Sequence, residues 1–446
     1  MSQSPLQPVS PRVRSTARSS PVRVLVLGAG VAGLVLARDL ARAGVPVTVF
    51  DPAARVGGQL ADIVLAGVRL DAAAESFATR GGAVAELASE LGLDDDLVLP
   101  RESPAWLIGR HGAAHPLPAA SVLGVPADPR AAAVLDALGR WGSWRARWDS
   151  IVPLRRPEAY RSFGDLVRRR MGPRVVRGLV GPVVRGVYST VPDALSLAQA
   201  SPGLPEALRA SRSLGAAVTR LRAASPAGSQ VGGLRGGVHR LAAALEQDAR
   251  AAGAQFVLNA RIRSVDASGV RLDGGEHLPG RVVLASAAAA GPAVRTRSIT
   301  LATAVVDAAD LDAGPRGTGA LVEAGASGVT ARALTHSSAK WQWLADQLPA
   351  HRHVVRLSYD EMPDDAEATV SADLRAITGA RIERLLELNV HTWTRTLEAA
   401  PSPHGVETVG EAASLTGLAS IVPAARAAAE RITADVSAAP QGGAEG

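Results

Sequence analysis

The sequence predicts an α/β fold, and three features near its start carry that prediction. An apolar run over 22–27, interrupted only by Arg23, is typical of a parallel strand buried on both faces. A glycine-rich turn over 28–33 follows it, and apolar residues then recur at helical spacing over 31–43. A second apolar run over 46–50 ends on Asp51. Strand, turn, helix and strand together form a βαβ unit.

The turn carries three glycines in the spacing Gly28-x-Gly30-x-x-Gly33, which is typical of a dinucleotide-phosphate site. The first glycine permits a tight turn, the second lets the backbone approach a pyrophosphate, and the third lets the helix pack closely on the strand. Asp51 can accept hydrogen bonds from an adenosine ribose. Three hypotheses are open here: a nicotinamide site, a flavin site, or a glycine turn without a ligand.

Composition narrows the functional classes. The chain has 446 residues, enough for two or three domains, and it has no cysteine, which excludes disulfides, zinc–thiolate sites and iron–sulfur clusters. The net charge is +6, but the basic residues are spread along the chain, so no nucleic-acid partner is predicted. The histidines show no metal-ligand spacing, and no metal is predicted. No apolar run reaches the roughly 20 residues of a membrane span, and we expect a cytoplasmic protein.

A second pair of adjacent glycines lies in the stretch RVGGQL over 55–60. Such a pair leaves backbone N–H groups uncovered for a phosphate or a flat ring edge, and a nicotinamide dehydrogenase has no need of it. The stretch resembles the Arg-x-Gly-Gly motif of the flavin amine oxidase superfamily, in which the glycines lie against FAD. The resemblance therefore favours a flavin.

Longer stretches resemble the porphyrinogen oxidase branch of that superfamily. GVRLDAAAESFATR over 67–80 and SELGL over 89–93 are similar to its Glu-Ser-Phe segment and to the helix that follows. Further similar segments lie at 123–126, 162–188, 195–197, 232–237, 257–262 and 410–428. Together the matches extend over about residues 22–433.

The resemblance implies a discontinuous Rossmann-like FAD-binding domain, a mixed-sheet substrate domain and a helical insertion. The implied divisions are a disordered tail over 1–20, FAD-binding segments at 21–90, 230–295 and 404–435, a helical substrate domain at 91–229, a substrate-binding sheet domain at 296–403, and a second disordered tail over 436–446.

The implied function is an oxygen-dependent FAD oxidase of haem biosynthesis. It would convert coproporphyrinogen III to coproporphyrin III, or protoporphyrinogen IX to protoporphyrin IX, in a six-electron oxidation that produces hydrogen peroxide. The implied partners are the porphyrinogen and molecular oxygen, with a transient contact to a ferrochelatase and a weak peripheral membrane contact. The cofactor-binding residues that the resemblance implies are Gly28, Gly30, Val31, Ala32, Gly33, Asp51, Arg55, Gly57, Gly58, Gln59, Glu75, Ser76, Ile262, Gly410, Glu411, Gly417, Leu418 and Ala419.

Two residues are predicted to act in catalysis. Lys340 is the one lysine of the chain, and members of the superfamily often place a lysine near the flavin, where its charge can assist oxygen reduction. Arg80 directly follows the flavin-lining stretch and is the first candidate counter-charge for substrate propionates, while Arg185 and Arg356 are weaker candidates.

Some positions depart from the family pattern. Gln59 stands where a basic residue is usual, and Ala73 and Ala425 replace glycines, which costs on the order of 1 kcal/mol where the backbone needs a positive φ. Two alternatives therefore stay open: another flavin oxidase or desaturase of the superfamily, and a degenerate paralogue that binds FAD or a porphyrin without turnover.

One helical stripe carries three tryptophans, Trp141, Trp144 and Trp148, among arginines. The spacing fits core packing, which we favour, or an interfacial helix resting on anionic lipid.

Overall fold

A computed structural model describes residues 22–154, 156–188, 190–223, 231–290, 295–398, 401–402, 406–413 and 415–438. In chain order the strands β1 to β22 are Val24–Leu27, Val47–Phe50, Asp62–Leu65, Val68–Asp71, Phe77–Ala78, Leu97–Val98, Trp106–Ile108, Ala114–Pro116, Ser121–Val122, Val125–Pro126, Val231–Leu234, Gln255–Val257, Ile262–Asp266, Gly269–Leu272, His277–Pro279, Arg281–Leu284, Arg295–Asp307, Gly319–Val322, Ala333–His336, Arg352–Tyr359, Arg384–Glu398 and Glu407–Thr408. The helices α1 to α14 are Val31–Arg42, Ala83–Glu90, Ala132–Ala146, Phe163–Met171, Pro173–Val175, Gly181–Tyr188, Leu197–Ala200, Leu204–Arg209, Leu214–Ala223, Arg240–Ala251, Ser337–Lys340, Gln342–Ala345, Ala366–Thr378 and Leu418–Ala438.

The first layer is a parallel sheet with the strand order β12-β2-β1-β16-β22. Val24 lies opposite Val47 on one side and Arg281 on the other, and all four residues of β1 are buried. Its strands come from three separated parts of the chain. Helix α1 packs against α10 and α14 and buries Leu34 and Leu36 completely. This layer is the Rossmann-like part of the predicted α/β fold class, which is confirmed.

The second layer is a seven-stranded mixed sheet with the order β21-β17-β20-β19-β18-β7-β8. The pairs are antiparallel except for β18 with β7. One face packs against α13 in an apolar core that contains Leu357 and Leu374. Because successive side chains of a strand point to opposite faces, alternate residues such as Ile299 and Leu301 are left to line a cavity on the other face.

The third layer is a helical region over about 132–223, which encloses its own apolar core with Phe163 and Leu179 among its members. Ser162 caps helix α4, since its hydroxyl accepts a hydrogen bond from the backbone N–H of Asp165 at 3.0 Å. No helix in the described part of the chain is both long enough and apolar enough to cross a membrane.

Two expectations from the sequence were wrong. Trp141, Trp144 and Trp148 are not core residues, because they are 73%, 50% and 44% exposed. The last helix, Leu418–Ala438, extends into the segment that was predicted as a disordered tail. The rest of that tail and the first predicted tail lie outside the described residues, and the domain bounds stay a prediction.

Candidate active site

A cavity of about 520 Å³ lies where the three layers meet. The parallel sheet contributes the residues that follow its strands, with Gly28 after β1, Asp51 after β2 and Ala285 after β16. Ligands of open α/β sheets bind at this carboxyl edge. The mixed sheet forms a second wall, and Gly186 and Val187 of the helical layer contribute to it as well. The volume is in the range of small-molecule and cofactor sites.

The three glycines of the first turn have different roles. A Cβ at Gly33 would lie 1.9 Å from the carbonyl oxygen of Gly28, so the helix packs directly on the turn. Gly28 has a φ of +118°, and a Cβ there would lie 2.7 Å from Cβ of Ser286. At Gly30, by contrast, no atom of the described residues lies within 4 Å of a Cβ position. Gly30 therefore opens onto the cavity, as close approach of a ligand requires.

The second glycine pair forms another turn against the first. The backbone N–H of Gly57 donates to the carbonyl of Ala29 at 2.8 Å, and Gly57 and Gly58 both have positive φ values. A Cβ at Gly58 would lie 3.4 Å from the Cα atom of Gly30. The two turns thus present bare backbone side by side, an arrangement that suits a phosphate or a ring edge.

Asp51 holds the first turn from the end of β2. Its Oδ2 accepts a hydrogen bond from the backbone N–H of Ala29 at 2.6 Å, and its Oδ1 accepts one from Ala53 at 2.8 Å. An ionised carboxylate has about four lone-pair sites, so capacity remains for a ribose hydroxyl. Val31 and Ala32 follow in the first turn of α1 and also line the cavity.

Gln59, which stands where a basic residue is expected from the resemblance, forms a hydrogen bond with a buried carboxyl group. Its amide donates to Oε1 of Glu411 at 2.7 Å. Burial raises the pKa of Glu411, although the Gln59 hydrogen bond and the Arg395 charge act in the opposite direction. The preceding Gly410 has a φ of +61°, and a Cβ there would lie 2.5 Å from that of Ala32.

The two alanines that replace family glycines carry no backbone penalty. Neither Ala73 nor Ala425 lies in the left-handed region that favours glycine. Ala73 is buried in the cavity wall, and Ala425 is fully buried between packed helices. The cost expected from the sequence therefore does not arise.

Lys340 forms an ion pair with Glu75 in the cavity wall. Its Nζ lies 2.8 Å from Oε1 of Glu75 and 3.4 Å from the hydroxyl of Ser76. The other carboxylate oxygen of Glu75 accepts a hydrogen bond from Ser337 at 2.8 Å. Burial alone raises the pKa of Glu75, but the charges of Lys340 and Arg356 lower it to about 2. The carboxylate is therefore ionised, and the pair is held at the cavity.

Several predicted residues lie away from the cavity lining. The exposed side chain of Arg80 donates to the hydroxyl of Ser420 at 3.1 Å. Ile262 packs in an apolar cluster behind the parallel sheet. Gly33, Arg55 and Ala419 also stand outside the lining, whereas the remaining predicted cofactor residues lie in it: Gly28, Gly30, Val31, Ala32, Asp51, Gly57, Gly58, Gln59, Glu75, Ser76, Glu411, Gly417 and Leu418, with Gly410 directly beside them.

The two weaker arginine candidates have protein partners. Arg356 donates to the carbonyl oxygen of Ala73 at 2.7 Å and also to that of Asp71. Arg185 pairs with Asp360 at 3.2 Å.

Sequence analysis missed the sheet side of the cavity, which is lined by Ile299, Leu301, Arg332, Thr335, Ser358, Trp393 and Arg395. These residues carry no motif. The signal that could have found them is the two-residue alternation of long strands such as Arg295–Asp307, whose uncovered face needs a ligand or another layer.

Comparison with known proteins gives a consistent assignment. Residues 31–295 match the family of flavin-containing amine oxidoreductases. The coproporphyrinogen III oxidase of Mycobacterium tuberculosis is 30% identical over 383 residues, which cover 79% of this chain and 80% of that protein. The coproporphyrinogen III oxidase of Staphylococcus aureus is 28% identical over 186 residues, and the chain spans only 40% of that relative.

The fold is also found in solved structures. A protein named protoporphyrinogen oxidase from Exiguobacterium has a TM-score of 0.78 at 22% identity, covering 93% of this chain and 99% of that one. Putrescine oxidase has a TM-score of 0.62 at 17% identity, covering 94% and 99%. At these identities the likeness is one of fold.

Proposed function

The chain belongs to the family of flavin-containing amine oxidoreductases, and we propose that it oxidises coproporphyrinogen III to coproporphyrin III. Membership confirms the predicted FAD cofactor and the class of FAD-dependent oxidoreductase. The proposed substrate is supported by the names of the relatives from Mycobacterium tuberculosis and Propionibacterium freudenreichii, both coproporphyrinogen III oxidases. Protoporphyrinogen IX is the second candidate, since an Arabidopsis relative, 29% identical over 188 residues, is a protoporphyrinogen oxidase.

The residues around the glycine turns fit FAD. Gly30 opens onto the cavity, the N-terminus of α1 and Asp51 line it, and this arrangement suits a pyrophosphate and a ribose. The chemistry that FAD would supply there is uptake of hydrogen from the substrate and its transfer to oxygen as hydrogen peroxide. The open backbone at Gly30 is the observation that carries the proposal.

The mixed sheet supplies the substrate side. Ile299, Leu301 and Trp393 form an apolar wall suited to a flat macrocycle, while Arg332 and Arg395 supply positive charge for its propionates. Because loss of hydrogen from a porphyrinogen ends in an aromatic porphyrin, the protein has mainly to hold the substrate in a reactive pose.

Lys340 is proposed to keep a positive charge at the cavity. Its Nζ pairs with the carboxylate of Glu75 in the cavity wall, and a positive charge there would favour reduction of oxygen to an anion. Arg80 lies outside the cavity lining, and its role in catalysis stays a prediction. A cytoplasmic location and a contact with a ferrochelatase also stay predictions.

We also propose that the exposed tryptophans make a peripheral contact with anionic lipid. Trp141, Trp144 and Trp148 stack edge to face at centroid distances of 6.1 and 5.5 Å, and the exposed Arg140 and Arg147 flank them. Tryptophan beside arginine suits a membrane surface with negative headgroups.

The first test is the visible spectrum of the purified protein with and without added FAD, followed by a porphyrin-fluorescence assay on both porphyrinogens. We expect flavin absorption bands and faster porphyrin formation from coproporphyrinogen III. A protein that refuses FAD would support the degenerate-paralogue alternative. A flavoprotein that oxidises amines instead would support the other enzyme alternative, although Trp393 is the one aromatic residue in the described lining.

The variant that tests the cofactor site is Gly30→Leu. A Cβ at Gly30 meets no atom of the described residues within 4 Å, so we expect the fold to survive while the leucine blocks the FAD site. The matched control is Gly274→Leu, because Gly274 also has no atom of the described residues within 4 Å of a Cβ but lies in a surface turn. We expect loss of flavin absorption in the first variant and full occupancy in the second, with similar melting temperatures.

A further inference from the structure

Three arginines converge on one aspartate beside the cavity. Arg332, which lines the cavity, has its Nε 3.4 Å from Oδ1 of Asp360. Arg185 from α6 lies 3.2 Å from Oδ2 of the same residue, and Arg297 from β17 donates to Oδ1. Arg332 directly precedes β19, and the three arginines meet where α6 of the helical layer touches the mixed sheet.

The cluster has an excess of positive charge. Burial alone raises the pKa of Asp360, but the hydrogen bond from Arg297 and the neighbouring guanidinium charges lower it, so the carboxylate is ionised. Arg332 and Arg185 already outnumber the one carboxylate that they share, so their part of the cluster keeps a positive charge. The other cations of the cavity wall have carboxylate neighbours, since Lys340 lies beside Glu75 and Arg395 is under the influence of Glu411.

Two of the three guanidinium nitrogens of Arg332 make no hydrogen bond. Its side chain is only 5% exposed, yet within the described part of the chain its Nη1 has no hydrogen-bond partner, and its Nε faces Asp360 only as an ion pair. Its Nη2 makes one long bond, 3.4 Å, to the carbonyl oxygen of Tyr359. A buried donor without a partner costs free energy, so such groups in native proteins call for an explanation. Burial also lowers the pKa of the Arg332 guanidinium, which a bound anion would offset.

The backbone around Arg332 is fixed in place. The carboxylate of the buried Asp373 accepts hydrogen bonds from the backbone N–H groups of Thr330 and Ala331, both at 2.8 Å. The N–H of Arg332 itself donates to the carbonyl of Ser358 at 2.7 Å. An arginine held this firmly at a cavity wall is preorganised for a ligand.

We propose that Arg332, Arg185 and Arg297 form the subsite that binds a propionate carboxylate of the tetrapyrrole. The inference rests on the proposed function and adds to it the residues that bind the propionate side chains of the substrate. A carboxylate matches the planar guanidinium fork and would supply the acceptors that the Nε and Nη1 atoms of Arg332 lack. Asp360 occupies part of the cluster and competes with the ligand there.

The test compares coproporphyrin III with its tetramethyl ester. Both are titrated in the same detergent buffer into FAD-loaded wild-type protein and Arg332→Met, with dissociation constants read from porphyrin fluorescence. We expect the wild type to prefer the acid and Arg332→Met to bind it about tenfold more weakly, with the ester unchanged. Arg316→Met is the matched control, because Arg316 is also partly buried but packs over Trp106 away from the cavity lining.

A second variant gives an effect of the opposite sign. Asp360→Asn removes the competing carboxylate, so we expect the acid to bind severalfold more tightly with no change for the ester, a result that misfolding cannot produce. Equal affinity of the wild type for acid and ester would overturn the subsite while leaving the proposed function intact. Equal weakening of acid and ester in Arg332→Met, or no weakening, would overturn it too. A wild type that binds neither porphyrin would refute both proposals.

Discussion

The ion pair of Glu75 and Lys340 makes the stability of the cavity wall depend on pH. The Glu75 side chain is 14% exposed, and its pKa in the folded protein is about 2, against an ordinary value of 4.5. A folded-state pKa below the unfolded one means that the ionised group stabilises the fold above pH 4.5. That stabilisation is lost as the pH falls from 4.5 toward 2.

The variant Glu75→Gln isolates this contribution. It removes the titrating group and leaves Lys340 without its carboxylate, so we expect a lower free energy of unfolding at pH 7. The difference from wild type should shrink as the pH is lowered below 4.5, because the wild-type carboxyl group then takes up its proton. Urea unfolding of both proteins between pH 7 and pH 3 measures it. A difference that is constant across this range would contradict the assignment.

At the scale of single elements, local sequence patterns predict where helices and strands lie. They do not predict which layer or surface covers each face of an element. The N-cap at Ser162 is a local feature, because it needs only a hydroxyl and the backbone N–H three residues later. The tryptophan helix was misjudged, since an apolar stripe has the same spacing whether protein or lipid covers it. Gly139, with a φ of +69°, interrupts this helix just before Trp141.

The tryptophan surface predicts selective binding to anionic vesicles. Replacing Trp141, Trp144 and Trp148 together by serine should abolish cosedimentation with vesicles rich in phosphatidylserine, because it removes the apolar contact area. Replacing Arg140 and Arg147 by glutamine should weaken binding in a salt-dependent way. Vesicles of neutral phosphatidylcholine are the control. Unchanged sedimentation of the serine variant would exclude this surface.

A buried ion pair marks a position at which we expect the stability of the helical layer to be sensitive to mutation. Arg170 and Asp149 are both almost fully buried, with Nε 2.7 Å from Oδ1, and Asp149 also accepts hydrogen bonds from the N–H groups of Leu214 and Gly215. Arg170→Met leaves that carboxylate without its cation and should lower the free energy of unfolding by about 3–5 kcal/mol.

The neighbouring residue provides the control for that variant. Arg169 pairs with Asp165 at 2.7 Å on the helix surface, so Arg169→Met should change the free energy of unfolding by less than about 1 kcal/mol. Urea midpoints of the two variants measure both effects. Similar losses of unfolding free energy in the two variants would show that burial does not increase the contribution of the Arg170 ion pair to stability.

At the scale of the whole molecule, the two halves of the cavity differ in how far sequence reveals them. The cofactor half is built from short consecutive stretches, such as 28–33 and 55–60. The glycines in these stretches indicate directly where the backbone has a positive φ or leaves no room for a side chain. The substrate half joins Arg332, Trp393 and Val187, which lie far apart in the sequence and meet only through long-range strand and helix packing. Single-sequence periodicity indicates which side of a strand is polar, but it does not give the partner layer.

Arg356 connects these two halves of the cavity. We therefore predict that its replacement lowers both the stability of the fold and the binding of FAD. Its buried guanidinium, on strand β20 of the mixed sheet, donates to the carbonyls of Asp71 and Ala73, which lead from β4 toward the Glu75 segment. Arg356→Met leaves both buried carbonyls without this donor and should cost about 2–4 kcal/mol. We expect weaker FAD retention on gel filtration and a lower urea midpoint.

The control for this last variant lies on the same strand. Arg352 pairs at 3.0 Å within the mixed sheet with the side chain of Asp307, a residue outside the cofactor half, so Arg352→Met should lower the urea midpoint only slightly and retain FAD. The comparison separates a general loss of charge on β20 from loss of the connection between the layers. If Arg356→Met retained FAD as fully as Arg352→Met, the two halves would be held together by apolar packing instead.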